Sequence, residues 1–147
     1  MSSTGVPAPG EAPVVAASAA ALLRSNGTDA EIAARPALRT PERTWTHGEV
    51  YAEAGRYATL LRERLPADGP PHVGVLADNI PEYLFTFAGA ALIGATVVGL
   101  NHTRQGEHLL RDLHHADVGL LLTEPEHRAD VDPIRADLGV QVLEAGP

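Results

Sequence analysis

Four short apolar runs decide the fold of this chain: VGVLA from Val73, TVVGL from Thr96, VGLLLT from Val118 and VQVL from Val140. They begin at intervals of about 22 residues, and segments of helical length separate them. Because the runs are continuously apolar, they are typical of strands in a sheet that is covered on both faces. Strands that alternate with helices predict right-handed crossovers between parallel strands. We therefore expect an α/β fold with a Rossmann-like parallel β-α-β layer of about four strands.

A residue that can cap a helix precedes each of the three intervening segments. We expect helices over residues 81–93 after Asn79, over 104–115 after Thr103, and over 124–138 after Thr123. The uncharged stretch 83–100 is long enough for a membrane span. Glycines interrupt it, however, and it ends in β-branched residues, so we predict a buried helix followed by a strand and no transmembrane segment.

Upstream of these runs, the pattern predicts smaller elements. Residues 37–40 and 43–46 are expected to form a small β-hairpin. Thr46 and Glu49 have the spacing of a capping box, and an amphipathic helix follows as far as Pro66. We divide the chain into a flexible leader with a short helix, residues 1–28, and a domain over residues 29–147. The leader helix is expected over residues 14–23 and lacks the basic start of a secretory signal.

Composition excludes several kinds of chemistry. The formal net charge is -8 at pH 7, so no basic face for nucleic acid is expected. The 147 residues include no lysine and no cysteine, which excludes lysine catalysis, thiol catalysis and disulfides, and favours a cytoplasmic location. Serine occurs only at positions 2, 3, 18 and 25, outside any nucleophile elbow. We interpret His108, Asp112 and the His114-His115 pair as a solvated helix face, because their spacing places no third metal ligand.

Phosphate-binding loops are also missing from the expected positions. The turn after the first parallel strand, residues 77–81, has no glycine, so the dinucleotide cradle is absent there. Gly94 and Gly99 have the spacing of a Walker motif, but Leu100-Asn101 replaces its Lys-Ser/Thr pair. A nucleotide site made by this chain alone is therefore not expected.

Two longer strings carry a family resemblance: TWTHGEVYAEAGRYATLLRERL from Thr44, and PPHVGVLADNIPEYLFTFAGAALIGATVVGLNHTRQGEHLLRDLHHADVGLLLTE from Pro70. They resemble the first part of AMP-forming acyl-CoA synthetases, in the fatty-acid-CoA ligase branch of the adenylate-forming superfamily. Thr44-Trp45-Thr46 resembles the first core motif of the family, and residues 89–101 resemble the second. Residues 101–104 resemble the Asn-x-Thr-Arg turn of the fatty-acyl branch. The resemblance covers about residues 30–125 and implies part of the large N-terminal domain of these enzymes.

The resemblance implies ATP, magnesium, CoA and a fatty acid for a complete enzyme. The motifs that the family uses for adenylation do not occur in these 147 residues: the Ser/Thr/Gly-rich phosphate loop, the magnesium-binding Glu, the ribose-binding Asp and the C-terminal lysine. We therefore assign no catalytic, cofactor-binding or metal-binding residue, and expect a truncated, inactive part of a ligase that needs the remainder of the ligase chain. The alternative is a stand-alone binding or interaction module derived from the family; an unrelated α/β regulator is a third hypothesis.

Ligands in open α/β sheets bind beyond the carboxyl ends of the strands. The loop at 78–79 and the loop at 101–104 lie at those ends, and we select Asn101, Thr103 and Arg104 as substrate-binding candidates. The competing interpretation is that Asn101 ends a strand, Thr103 caps a helix and Arg104 is solvated. Because the strands are apolar on both faces, we also expect an isolated chain to self-associate.

Overall fold

The structure, a computed structural model, describes residues 17–145. It contains two groups of strands. The strands are β1 (Pro36–Arg39), β2 (Thr44–Thr46), β3 (His72–Leu76), β4 (Thr96–Gly99), β5 (Leu120–Thr123) and β6 (Gln141–Glu144). The helices are α1 (Ala19–Thr28), α2 (His47–Arg64), α3 (Pro81–Ile93), α4 (Gly106–His115), α5 (Arg128–Val131) and α6 (Arg135–Leu138).

The main sheet has four parallel strands in the order β4-β3-β5-β6. In its centre, Val73 of β3 pairs with Val97 of β4 on one side and with Leu120 of β5 on the other. This confirms the predicted α/β class and the four-stranded parallel layer. The separate antiparallel pair of β1 and β2 confirms the hairpin.

Both faces of the main sheet are covered, as continuously apolar strands require. On one face, a core forms against α4, α5 and α6; its buried residues are Leu76, Leu109, Leu113, Val118, Leu121, Val131, Ile134 and Leu138. On the other face, a core forms against α2 and α3; its buried residues are Leu61, Val73, Val75, Ala90, Leu120 and Leu122. The uncharged stretch 83–100 supplies α3 and β4, so the prediction of a helix followed by a strand is confirmed.

Helix α2 begins with the predicted capping box. The Thr46 hydroxyl accepts from the Glu49 N–H at 3.2 Å, and the Glu49 carboxylate accepts from the Thr46 N–H at 2.8 Å. Two backbone donors at the helix start are thereby satisfied. Both bonds join residues three apart in the chain, which explains why a local pattern predicts them.

The predicted caps of the three later helical segments are wrong. Helix α3 follows Ile80, without a side-chain cap, and starts with Pro81, whose missing N–H needs no partner. Helix α4 starts at Gly106, two residues later than expected, because Thr103 is engaged in a turn with Asn101. The Thr123 hydroxyl donates to the Glu124 carbonyl instead of capping a helix.

The third segment is not one helix over 124–138. It consists of a 3-10 turn (Pro125–His127), α5, a second 3-10 turn (Asp132–Ile134) and α6. Pro133 lies inside the interrupted region, where a proline removes a backbone donor and disfavours a continuous α-helix. The strand prediction also differs by two residues here, since β5 begins at Leu120 and not at Val118.

The N-terminal helix is displaced from its predicted position. The sequence predicts a helix over residues 14–23, whereas α1 begins at Ala19 after the Ser18 cap and ends at Thr28. Residues 14–16 and the rest of the predicted leader before residue 17 lie outside the described residues. Helix α1 packs on α2 and α3. Among residues 17–145, no helix is long and apolar enough to cross a bilayer.

Candidate functional site

The carboxyl ends of three neighbouring strands bring polar side chains together at one edge of the main sheet. Asp78 follows β3, His102 follows β4, and Glu124 follows β5 directly. His127 ends the 3-10 turn after β5 and points back toward Asp78 and Glu124. We call Asp78, Glu124 and His127 the edge triad.

His127 is the centre of this group, and its side chain is only 11% exposed. Its Nε2 atom lies 3.2 Å from Asp78 Oδ1 and 3.4 Å from Glu124 Oε1. Its Nδ1 atom lies 3.3 Å from Asp130 Oδ2, on the opposite side of the ring. Carboxylates therefore flank both ring nitrogens of one nearly buried imidazole.

Glu124 is the most deeply buried carboxylate of the triad, with a side chain 6% exposed. Its Oε1 accepts the backbone N–H of Asp78 at 2.6 Å, across 46 residues of sequence. A buried carboxylate needs such donors or a nearby positive charge. This contact ties the end of β5 to the end of β3.

The surroundings of His127 act on its pKa in opposite directions. Burial lowers the pKa, while the hydrogen bonds to Asp130 and Asp78 and the negative charges of Asp78 and Glu124 raise it. The net result is a pKa above the ordinary value of histidine. The protonated form of this imidazole is therefore stabilised by its neighbours.

Two further residues border the triad. The His102 ring lies with its centroid 6.0 Å from that of His127. Gln105 donates from Nε2 to Asp130 Oδ1 at 2.8 Å, which holds the carboxylate that contacts His127 Nδ1. The loop after β4 thus reaches the same edge as the loops after β3 and β5.

The substrate-binding candidates from the sequence lie next to this edge, and their side chains make internal contacts. Asn101 Oδ1 accepts from the Thr103 N–H at 2.9 Å and from its hydroxyl at 2.8 Å. Arg104 donates two hydrogen bonds to Asp112, both 2.9 Å long. The Arg104 hydrogen bonds and charge hold the pKa of Asp112 below its ordinary value. Asn101 thus shapes the loop and Asp112 anchors Arg104.

Of the other residues singled out in the sequence, His108, His114 and His115 are exposed, in agreement with a solvated face. His108 contacts Arg111, and His114 contacts the Leu138 carbonyl. The edge triad was missed. The sequence pattern places Glu124 and His127 in a long helix, and the signal that could identify them is their position just after an apolar strand.

Comparison with known proteins now places the chain in a family. A family model described as AMP-binding enzyme matches residues 28–145. The chain belongs to this family of AMP-binding enzymes. Solved structures share the fold of the chain. The N-terminal domain of FACL13 from Mycobacterium tuberculosis matches with a TM-score of 0.77 and 23% identity, over 87% of this chain and 34% of the FACL13 chain. A benzoate CoA ligase from Burkholderia xenovorans matches with a TM-score of 0.76 and 22% identity, over 88% of this chain and 26% of the ligase chain.

Several curated relatives of the chain are CoA ligases or synthetases by name. The steroid-22-oyl-CoA synthetase of Rhodococcus jostii is 43% identical over 109 residues, which are 72% of this chain and 19% of that protein. The medium/long-chain-fatty-acid–CoA ligase FadD17 of Mycobacterium tuberculosis is 46% identical over 83 residues, which are 54% of this chain and 16% of that protein. The chain is similar to part of these proteins and spans less than a quarter of their length.

Proposed function

We propose that this chain is the N-terminal part of an ATP-dependent, AMP-forming fatty-acid–CoA ligase. Such an enzyme adenylates a carboxylate and then transfers the acyl group to the thiol of CoA. The observation that carries the proposal is the 43% identity over 109 residues to a curated CoA synthetase, within a family match over residues 28–145. The names of the FadD17 relatives favour medium- or long-chain fatty acids as the substrate class.

In this proposal the loop after β4 borders the substrate. Asn101 and Thr103 hold the turn, and Arg104 has a side chain that is 41% exposed beside the carboxyl ends of the strands. A guanidinium suits an anionic partner, since it offers several N–H donors in one plane. Asp112 positions it by taking two of these donors.

The 147 residues are proposed to be inactive without the remainder of a ligase chain. Adenylation builds negative charge on a phosphate, which magnesium, Lys or Arg side chains and backbone donors must neutralise. These residues include no lysine and none of the phosphate-loop motif expected for the family. ATP, magnesium and CoA are therefore assigned to the complete enzyme, and the proposal includes a cytoplasmic location.

Exposed apolar side chains support a need for further protein contacts. Leu22 of α1 is 50% exposed, and Leu84 and Phe87 of α3 are 38% and 54% exposed. Together with neighbouring residues they line one depression between α1 and α3. Within residues 17–145, β4 and β6 form the two edges of the main sheet. We propose that the remainder of a ligase covers part of this surface, and that the isolated chain self-associates.

Pyrophosphate exchange tests the proposed activity. The purified chain is expected to give no fatty-acid-dependent exchange between ATP and pyrophosphate. Addition of a polypeptide from a related ligase, beginning where the matched region ends, is expected to restore it and to reduce self-association in sedimentation runs. Within the restored pair, Arg104→Gln is expected to raise KM for the fatty acid or ATP, whereas Arg62→Gln, a change of an exposed arginine on α2, leaves it unchanged.

Two results would argue against this proposal. A saturable micromolar ATP site in the chain alone, measured by calorimetry with magnesium present, would favour a stand-alone binding module. A clean monomer with a cooperative melt would show that the exposed surfaces need no partner.

A further inference from the structure

The two distances from His127 Nε2 to the carboxylates of the edge triad match those between ligands of one small cation. A tetrahedral zinc ion with bonds of about 2.0–2.1 Å to nitrogen and oxygen places neighbouring ligand atoms about 3.3–3.4 Å apart. His127 Nε2 lies 3.2 Å from Asp78 Oδ1 and 3.4 Å from Glu124 Oε1. One ligand atom from each of the three residues lies within 4.8 Å of the others.

The far side of the His127 ring has the partner that a metal-binding histidine usually has. Such a histidine donates its second ring N–H to a carboxylate, which orients the ring and raises its basicity. Asp130 Oδ2 lies 3.3 Å from Nδ1, and Gln105 in turn holds Asp130 through a bond of 2.8 Å. Asp130 and Gln105 are outside the proposed ligand set. With the proton on Nδ1, the Nε2 lone pair faces Asp78 and Glu124.

We propose that Asp78, Glu124 and His127 bind a divalent transition-metal cation, with zinc as the best match. Two carboxylates and a neutral imidazole balance the charge of a divalent ion. An imidazole ligand favours zinc over magnesium or calcium, which prefer oxygen ligands alone. Three protein ligands leave a fourth position for water, on an edge that His102 also borders. The Glu124 Oε1 that accepts the Asp78 N–H retains a second lone pair.

A cation at this position would cross-link the ends of the two central strands. Asp78 follows β3, while Glu124 and His127 follow β5, the strand beside it. A ligand that binds only the folded chain stabilises it by mass action. The inference does not depend on ligase activity, so it can fail or succeed independently of the proposed function.

Zinc titration of the purified full chain tests the site. Calorimetry is expected to show one zinc ion per chain, with proton release and shifts of the His127 ring resonances in NMR spectra. Asp78→Asn, at a side chain that is 63% exposed, is expected to weaken binding at least about tenfold while the fold persists. Asp130→Asn is expected to weaken it about 10- to 100-fold through the second ring nitrogen.

Matched controls separate this site from surface histidines. Glu126→Gln changes an exposed carboxylate beside the triad, and His115→Gln removes an exposed histidine elsewhere; both are expected to leave the zinc affinity unchanged. The proposal is overturned if Asp78→Asn and Glu126→Gln bind zinc equally well, which would indicate adventitious binding. It is also overturned if zinc leaves the His127 resonances unmoved and only protonation shifts them.

Discussion

The close contact between α2 and α3 predicts that a larger residue at Gly89 destabilises the fold. This glycine is buried on α3. A Cβ atom added to it would lie 2.7 Å from Tyr57 Cβ, 2.8 Å from the Ala58 backbone nitrogen and 3.0 Å from the Ala54 carbonyl oxygen. Two of these atoms belong to the α2 backbone, so no side-chain rotation can make room. Gly89→Ala must therefore push the two helices apart.

The expected cost follows from two opposing terms. Relaxed contacts between carbon atoms are about 3.5–4.0 Å long, so the helices must separate by about 1 Å. Overpacking of this kind costs about 1–3 kcal/mol, and a rigid backbone neighbour favours the upper end. Replacing a helical glycine by alanine stabilises the folded state by about 1 kcal/mol through its higher helix propensity. We expect Gly89→Ala to lower the free energy of unfolding by about 2 kcal/mol.

Gly55 provides the matched control. It lies inside α2, and an added Cβ would meet no atom within 4 Å. Gly55→Ala therefore keeps the propensity gain without the clash, and is expected to raise the free energy of unfolding by about 0.5–1 kcal/mol. Urea unfolding of the full chain, followed by circular dichroism, measures both variants. If Gly89→Ala were as stabilising as Gly55→Ala, the close helix approach would be wrong.

Three further predictions concern local interactions. Burial, followed by the charges of Glu82 and Glu53, raises the pKa of Tyr57 to about 12. The folded chain therefore keeps a proton that the unfolded chain releases near the ordinary pKa of about 10. The free energy of unfolding is expected to fall as the pH rises between those two values in the wild type, but not in Tyr57→Phe. Thr46→Ala is expected to lower the free energy of unfolding by about 1 kcal/mol through loss of the α2 cap, whereas Thr46→Ser retains it in the same urea assay. Arg104→Gln is expected to raise the pKa of Asp112 in an NMR titration, because the hydrogen bonds and charge of Arg104 hold that pKa low. In the wild type, the contribution of this ion pair to stability is lost as the pH falls through the pKa of Asp112. An unchanged pKa of Asp112 in the variant would contradict the ion pair.

Sequence patterns predicted those features that depend on local order. Continuous apolar runs predicted the strands of the covered parallel sheet, and the spacing of Thr46 and Glu49 predicted the start of α2. Short motifs, residues 44–46 and 89–101, also indicated the family that the family model confirms. Local patterns failed where a side chain had another local partner: Thr103 bonds to Asn101, and Thr123 bonds to the Glu124 carbonyl, so neither caps a helix.

Tertiary packing decided the strand order and the edge triad. The spacing of the strands in the sequence does not predict that β3 lies between β4 and β5, because that order depends on contacts between distant segments. Glu124 meets Asp78 across 46 residues, and His127 meets it across 49. In the chain pattern these residues look like ordinary polar positions after a strand. They become one charged cluster because parallel strands that lie side by side end at the same edge of the sheet.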